Sequence, residues 1–317
     1  MVFETMLAPI VLFVYNRPWH TEQTLNALAA NRYADESVLY IYADGPKEKT
    51  NYNENLAINE VRKLIRKKQW CRDVYIIESE SNRGLADSIV RGVTQVIKNH
   101  GRIIVLEDDV VTSPTFLKYM NDAITIYEKD SNVYQISGFM IPNKRKMRTT
   151  GFFRAPASWG WATWARAWHF FSEDSELLFQ KISSCDVNHF NIDATYDYME
   201  QLDKNRRGEI RTWVVKWYAS LYLKQGLCLY PHRSLVKNIG FDGSGVHCGK
   251  NDMRLFNRMK IIGNIDLGFT EMKESEEYLE AFKEFYRMLY RRWTIEPLYK
   301  RIIARLKRTT KLIWGTR

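Results

Sequence analysis

Ile103-Ile104-Val105-Leu106-Glu107-Asp108-Asp109 is the stretch on which the reading of this chain turns. Four consecutive apolar residues, three of them β-branched, suit a strand buried on both faces, and the chain leaves that strand directly into three acids. Adjacent carboxylates repel one another unless a cation or hydrogen-bond donors hold them. A divalent ion would do so. Magnesium and manganese prefer oxygen ligands, take one or two carboxylates, and complete their shell with phosphate oxygens and water. The plainer alternative is an acidic loop capping the next helix, whose first turn is marked by Ser113-Pro114.

Outward from this strand, apolar runs and breakers alternate. Ile10–Tyr15 reads as a strand that ends at Asn16-Arg17-Pro18, and Thr21–Ala30 as a helix with Leu25 and Leu28 on one side. Val38–Ala43 is a second strand, ending at Asp44-Gly45-Pro46, and Asn55–Lys68 an amphipathic helix. Val74–Ile77 is a third strand, Leu85–Asn99 a helix, and Thr115–Lys129 a helix after the acidic loop. This alternation predicts an α/β fold with a mostly parallel sheet covered by helices on both faces. Ligands in such sheets bind at the carboxyl ends of strands, beside a switch in strand order. Three strand ends here carry polar chemistry: Asn16-Arg17, Asp44-Gly45 and Glu107-Asp108-Asp109.

Beyond the strand Val133–Ser137 the pattern becomes irregular and rich in tryptophan, with Trp159, Trp161, Trp164 and Trp168 close together. Two or three of these four are expected in the core, and the remainder at a ligand-facing surface or lid. Trp213 and Trp217 lie near a further helix, and Leu227–Tyr230 reads as a short strand. The expected organisation is one α/β domain over residues 1–255, with a nucleotide-type half at 1–130 and a half that closes over the ligand at 131–255, followed by a helical basic extension at 256–317.

The chain has 317 residues, a net charge of +10 and 45% hydrophobic residues, which excludes disordered and collagenous classes. From Lys283 to Arg317 eleven Lys/Arg stand against Glu284 and Glu296, a local +9, so the other residues together carry only +1. The high isoelectric point therefore belongs to the tail, and nucleic-acid wrapping is not expected. Phe285, Leu289, Trp293, Ile302, Ile303 and Trp314 are interleaved with those bases, a mix suited to an anionic membrane surface. The alternative is a helix packed on its own domain with a solvated basic face. No apolar run reaches about 20 residues, and Cys71, Cys185, Cys228 and Cys248 show no Cys-x-x-Cys spacing. A cytoplasmic protein with reduced thiols is the expectation, peripheral at the inner face of the plasma membrane where the tail engages it.

Asp44, at a strand tip, can accept the ring N–H of a pyrimidine or organise its own turn; Arg17 can face a phosphate or ribose. His247, after a run of glycines, can ligate the same cation as the acids. Cys248 reads as a buried thiol. No Gly-x-x-x-x-Gly-Lys-Ser/Thr, Gly-x-Gly-x-x-Gly or Gly-x-Ser-x-Gly signature is present, which disfavours P-loop ATPases, dinucleotide dehydrogenases and nucleophile-elbow hydrolases.

Taken together, Ile10–Arg17 with Pro18, Ala43-Asp44-Gly45-Pro46, Asn82-Arg83-Gly84-Leu85 and Ile103–Asp109 with Val110 resemble the GT-A glycosyltransferases. The pattern is most similar to family-2-like bacterial sugar transferases, and more distantly to the N-acetylglucosaminyltransferase I type, whose metal motif is also Glu-Asp-Asp. Ser158–Trp164, Trp213–Ser220 and Ser234–Cys248 resemble further blocks of the bacterial group. The resemblance covers roughly residues 8–250 and leaves the basic tail outside.

It implies a GT-A fold and transfer of a sugar from a nucleotide diphosphate donor, UDP-linked first, onto a hydroxyl. The acceptor would be a bacterial glycan such as lipopolysaccharide or capsule, or a lipid-linked precursor. Manganese or magnesium would assist. Position by position, it implies that Asp108 touches the ribose or sugar, that Asp109 binds the metal with His247, and that Arg17 and Asp44 hold the nucleotide. Arg83 would lie over the nucleoside or diphosphate. The general base of the N-acetylglucosaminyltransferase I type, an Asp just after a Trp, is replaced by Val214. Asp242 is the substitute expected, ahead of Glu209 and Asp197, with inversion at the anomeric carbon by analogy. Two rivals stand beside this reading: a sugar-nucleotide nucleotidyltransferase, and a non-enzymatic protein that binds membrane or nucleic acid through its tail.

Overall fold

The computed structural model describes residues 7–143, 145, 147–243, 256, 259–265, 267–268 and 270–290. His247, Cys248 and most of the basic tail lie outside the described residues.

The first half alternates as the sequence predicts: β1 (Ile10–Val14), α1 (Pro18–Ala29), β2 (Val38–Ala43), α2 (Tyr52–Leu64), β3 (Asp73–Glu78), α3 (Leu85–His100) and β4 (Arg102–Glu107). Helix α2 begins three residues before the expected start because Asn51 caps it, its side chain accepting from the Glu54 N–H at 2.9 Å. A short strand, β5 (Val110–Thr112), then precedes α4 (Phe116–Ile126). The second half comprises β6 (Val133–Ser137), β7 (Gly151–Phe153), β8 (Trp161–Trp164), the helices α5 (Ala165–Trp168), α6 (Ser175–Ser183), α7 (Val187–Phe190), α8 (Tyr198–Arg206) and α9 (Val214–Tyr222), then β9 (Leu227–Tyr230), β10 (Val236–Asn238) and a helix, α10 (Glu276–Tyr290).

Eight strands form one sheet in the order β3-β2-β1-β4-β8-β6-β9-β7. The β3-β2-β1-β4 segment is parallel throughout, with Leu12 paired to Ile41 on one side and Leu106 on the other. Strand β8 runs antiparallel between β4 and β6 and joins the two halves. This is a mixed α/β, Rossmann-like arrangement. The chain builds outward from β1 through β2 to β3, then returns to place β4 on the other side of β1. The switch in strand order therefore lies between β1 and β4, and the crevice it opens is at their carboxyl ends.

Trp161, Trp164 and Trp168 are buried, while Trp159 is only partly covered. Trp161 stacks on Trp213 with ring centroids 5.0 Å apart, and Trp168 stacks on Phe171 at 4.5 Å. Three of the four clustered tryptophans are thus core.

Helix α10 seats on the β7 edge of the sheet. Phe282 stacks on Phe153 at 4.2 Å, Tyr278 donates to the Thr149 carbonyl at 2.8 Å, and Phe152 makes a parallel bridge to Glu274. Phe285 and Leu289, read from sequence as lipid-facing candidates, are buried in this packing. The basic region therefore starts with a helix whose apolar stripe belongs to the protein's own core. Among the described residues no helix is long and apolar enough to cross a membrane.

Candidate functional site

A cavity of about 690 Å³ opens at the switch point. Its walls bring together the ends of β1, β2 and β4, the start of α3, and the segment from Tyr196 to Val214.

Strand β1 delivers Arg17 at the turn into α1, which Pro18 starts with its fixed φ. The Arg17 guanidinium lies against both acids that follow β4. Its Nε donates to Asp108 Oδ2 at 3.2 Å, and its Nη2 pairs with Asp108 Oδ1 and with Asp109 Oδ2, the latter at 2.8 Å. Burial works against the charge on Arg17, but Asp108 and Asp109 outweigh it and raise its pKa further. The acidic loop does not cap α4, whose N-cap makes no side-chain hydrogen bond. Helix α1 fixes this loop from behind, Thr24 Oγ1 donating to the Asp108 carbonyl at 2.8 Å.

Glu107 lines the same cavity, with no hydrogen bond or ion pair from its carboxylate among the described residues. Burial first, then the charges of Asp109 and Asp108, push it up to about 8. Burial pushes Asp108 up to about 6 against the pull of Arg17. Burial is the first cause of both shifts; the neighbouring carboxylates add to it and the Arg17 charge opposes it. Among the described residues no group of three or more His, Cys, Asp or Glu side chains is arranged to hold a metal ion; the carboxylates of Asp108 and Asp109 are the oxygen donors at this end of the cavity. His247, the other ligand expected from sequence, lies outside the described residues.

Strand β10 completes this wall, and the sequence did not announce it. It pairs antiparallel with β5, placing Asn238 opposite Val110. Asn238 Nδ2 donates to Asp109 Oδ1 at 3.2 Å, and the Ile239 N–H to the Asp109 carbonyl at 2.8 Å. Gly240 follows against the same carboxylate: a Cβ there would stand 2.2 Å from Asp109 Oδ2 and 2.9 Å from Arg17 Nη1. The turn needs glycine because it packs its backbone directly on the ion pair.

Asp44 is buried at the tip of β2, and its carboxylate is committed to neighbouring loops. It accepts from its following Gly45 N–H (2.9 Å), Asn82 Nδ2 (3.0 Å), Arg83 N–H (2.9 Å) and Gly84 N–H (3.0 Å). Its turn-organising reading therefore describes the geometry, and what it organises is the Asn82-Arg83-Gly84 loop at the mouth of α3. The Arg83 side chain turns away to Ser79 Oγ at 2.9 Å and does not line the cavity. Asp242 is likewise outside the lining; its carboxylate lies 3.1 Å from His20 Nε2, on the α1 side. Burial, and then the Arg17 charge, lower the pKa of His20. Glu209 pairs with Arg207, and Asp197 caps α8; neither lines the cavity.

The remaining wall has a different chemistry. Ser158, Trp159, Tyr196, Gln201, Thr212, Trp213 and Val214 line it, and its charged member, Arg211, is paired with Asp87 at 2.6 Å. Trp159 is held by edge contacts with Phe139, Phe241 and Phe256. Val214 stands on the wall itself, an aliphatic side chain at the position where the resemblance leads one to look for a carboxylate.

No protein-family profile and no curated protein sequence matches this chain. Solved structures similar to parts of it include S. aureus TarS, at 14% identity and a TM-score of 0.30 over 45% of this chain. This chain covers 23% of that TarS chain. A UDP-glucose pyrophosphorylase complexed with UDP-glucose is similar at 13% identity and a TM-score of 0.30, over 53% of this chain and 80% of the other.

Proposed function

We propose that this protein is a metal-assisted glycosyltransferase that moves a sugar from a nucleoside diphosphate, UDP first, to a hydroxyl of a glycan or lipid-linked acceptor. One observation carries the reading: a single cavity at the switch point has one wall of charged groups and another of aromatic, amide and hydroxyl groups. The first wall suits a diphosphate with its cation, and the second a sugar.

In this reading Asp109 holds magnesium or manganese together with His247, Asp108 meets the ribose or sugar, and Arg17 keeps both carboxylates oriented. The bound ion supplies charge that offsets the negative charge growing on the leaving diphosphate. Asp44 acts on the nucleotide through the Asn82–Gly84 loop it ties down. The acceptor oxygen attacks the anomeric carbon as the bond from that carbon to the diphosphate oxygen breaks; the nucleoside diphosphate leaves with that electron pair, and the acceptor hydroxyl's proton passes to water in the open cavity. Asp242, the base suggested by sequence, lies beside His20 and is not among the described residues that line the cavity.

The test is thermal stability with uridine, guanosine and cytidine diphosphates, each with and without manganese. At 100 times its dissociation constant a ligand adds about 2.7 kcal/mol, enough to raise the midpoint by roughly 5 °C. One diphosphate should stabilise the wild type in a manganese-dependent way, and Asp109→Ala should lose the effect. A shift only with a triphosphate plus sugar phosphate would select nucleotidyl transfer instead. No shift with any nucleotide in a folded protein rejects an enzyme of this class.

A further inference from the structure

We infer that Tyr196 and Gln201 form the subsite that receives a neutral sugar ring of the acceptor, an inference that rests on the transferase reading of the same cavity. The two residues are joined by a hydrogen bond, Gln201 Nε2 donating to Tyr196 Oη at 2.6 Å. That leaves the tyrosine O–H as a donor and Gln201 Oε1 as an acceptor, neither used by another described residue. A donor and an acceptor fixed side by side are what vicinal sugar hydroxyls can meet, since each hydroxyl both gives and accepts. The wall around them is aromatic and uncharged apart from the paired Arg211, which favours a neutral ring over a phosphorylated or cationic partner.

The pair is also rigid, and the structure bears strain to hold it. The Tyr196 ring packs 4.4 Å from Tyr286 and 4.6 Å from Tyr198. Ahead of it, and separated only by Thr195, Ile192, Asp193 and Ala194 have φ of 51°, 51° and 58°. Three successive non-glycine residues in the left-handed region, one of them β-branched, are unfavourable and persist only where surroundings over-determine them. Here they do. The Asn191 carbonyl accepts from the Thr195 and Tyr196 N–H groups at 3.0 and 3.1 Å, and Asn191 Oδ1 accepts from the Met199 N–H at 2.9 Å. From outside, Arg154, whose side chain is 6% exposed, pairs with Asp193 at 2.8 Å and with Glu274, while Lys283 reaches Asp193 at 3.0 Å. The turn so clamped delivers Tyr196 to the cavity wall and starts α8, which carries Gln201. Arg154 and Asp193 are positioning residues in this scheme; Tyr196 and Gln201 touch the sugar.

Saturation-transfer NMR on the full chain tests this, with the stabilising nucleoside diphosphate and manganese present. The probes are the methyl glycosides of glucose, galactose and N-acetylglucosamine. At least one should receive saturation on its ring protons, with affinity falling about tenfold in both Tyr196→Phe and Gln201→Leu, the scale of one net hydrogen bond. The nucleotide-induced thermal shift of both variants should match the wild type, which also shows that they fold. Unchanged glycoside binding in the variants overturns the inference, as does absence of glycoside binding in a wild type that keeps its nucleotide shift. Absence of any nucleotide shift in the folded wild type is a separate result, and it removes the transferase reading and this inference together.

Discussion

Arg17 shows how much one side chain settles at the scale of the residue. From sequence it is an arginine in a loop, able to face a phosphate; in the fold it is the counter-charge that lets Asp108 and Asp109 share a buried site. His20, one turn further along α1, is the neighbouring test case. Its folded pKa lies below that of an unfolded histidine, so over the interval between the two the unfolded chain binds the extra proton. Stability is then fully present above about pH 6.5 and falls as the pH drops through that interval. We expect thermal midpoints measured from pH 8 to pH 5 to decline less steeply in His20→Gln than in the wild type. Identical slopes would mean that His20 titrates as it does in the unfolded chain. The acidic motif, Arg17 and Asp44 were legible in the sequence because each ends a buried strand of the parallel half. Asn238, Tyr196 and Gln201 were not, because nothing local distinguishes a polar side chain that lines a cavity from one that faces water.

At the scale of the element, β1 to β4 could be read because strands buried on both faces are continuous branched apolar runs between turn signals. Strand β8 escaped the same reading. Trp161-Ala162-Thr163-Trp164 is buried on both faces but mixes aromatic, small and hydroxyl residues, and its antiparallel place between β4 and β6 depends on partners far away in sequence. The three-residue strands β5 and β10 are too short to show any period, yet their pairing brings Asn238 to Asp109. Helix α10 is the converse case, where the periodic stripe was legible and its partner was not. Phe282 is 3% exposed and stacked on Phe153. Truncating such a residue removes its transfer free energy and leaves a cavity, so Phe282→Ala should cost about 3–5 kcal/mol in urea unfolding. A loss below 1 kcal/mol would show that α10 contributes little to the cooperative fold.

At the scale of the whole molecule, charge is distributed by segment. After Tyr290 the sequence carries nine Lys/Arg against Glu296, and the residues before it are close to neutral. Within α10 Lys283 is paired with Asp193 and Glu280, and Phe285 and Leu289 are buried, so the residues we propose for an anionic membrane surface are those after Tyr290. Removing residues 291–317 should therefore weaken binding to vesicles rich in anionic lipid at low salt, while leaving the nucleotide shift of the cavity intact. Equal vesicle binding by the shortened and full chains would reject the tail as the membrane contact.

The sequence by itself determined the alternation of strand and helix, the strand ends where chemistry would gather, and the concentration of positive charge in the tail. Those are properties of local pattern, written in residues adjacent or one turn apart. Only the tertiary structure decided which cation faces the acids, that Asp44 secures the Asn82–Gly84 loop, that Asp242 meets His20, and that Asn238 reaches Asp109. Each of those depends on a partner tens of residues away, brought within about 3 Å by sheet order and packing, and sheet order leaves no local mark on the chain.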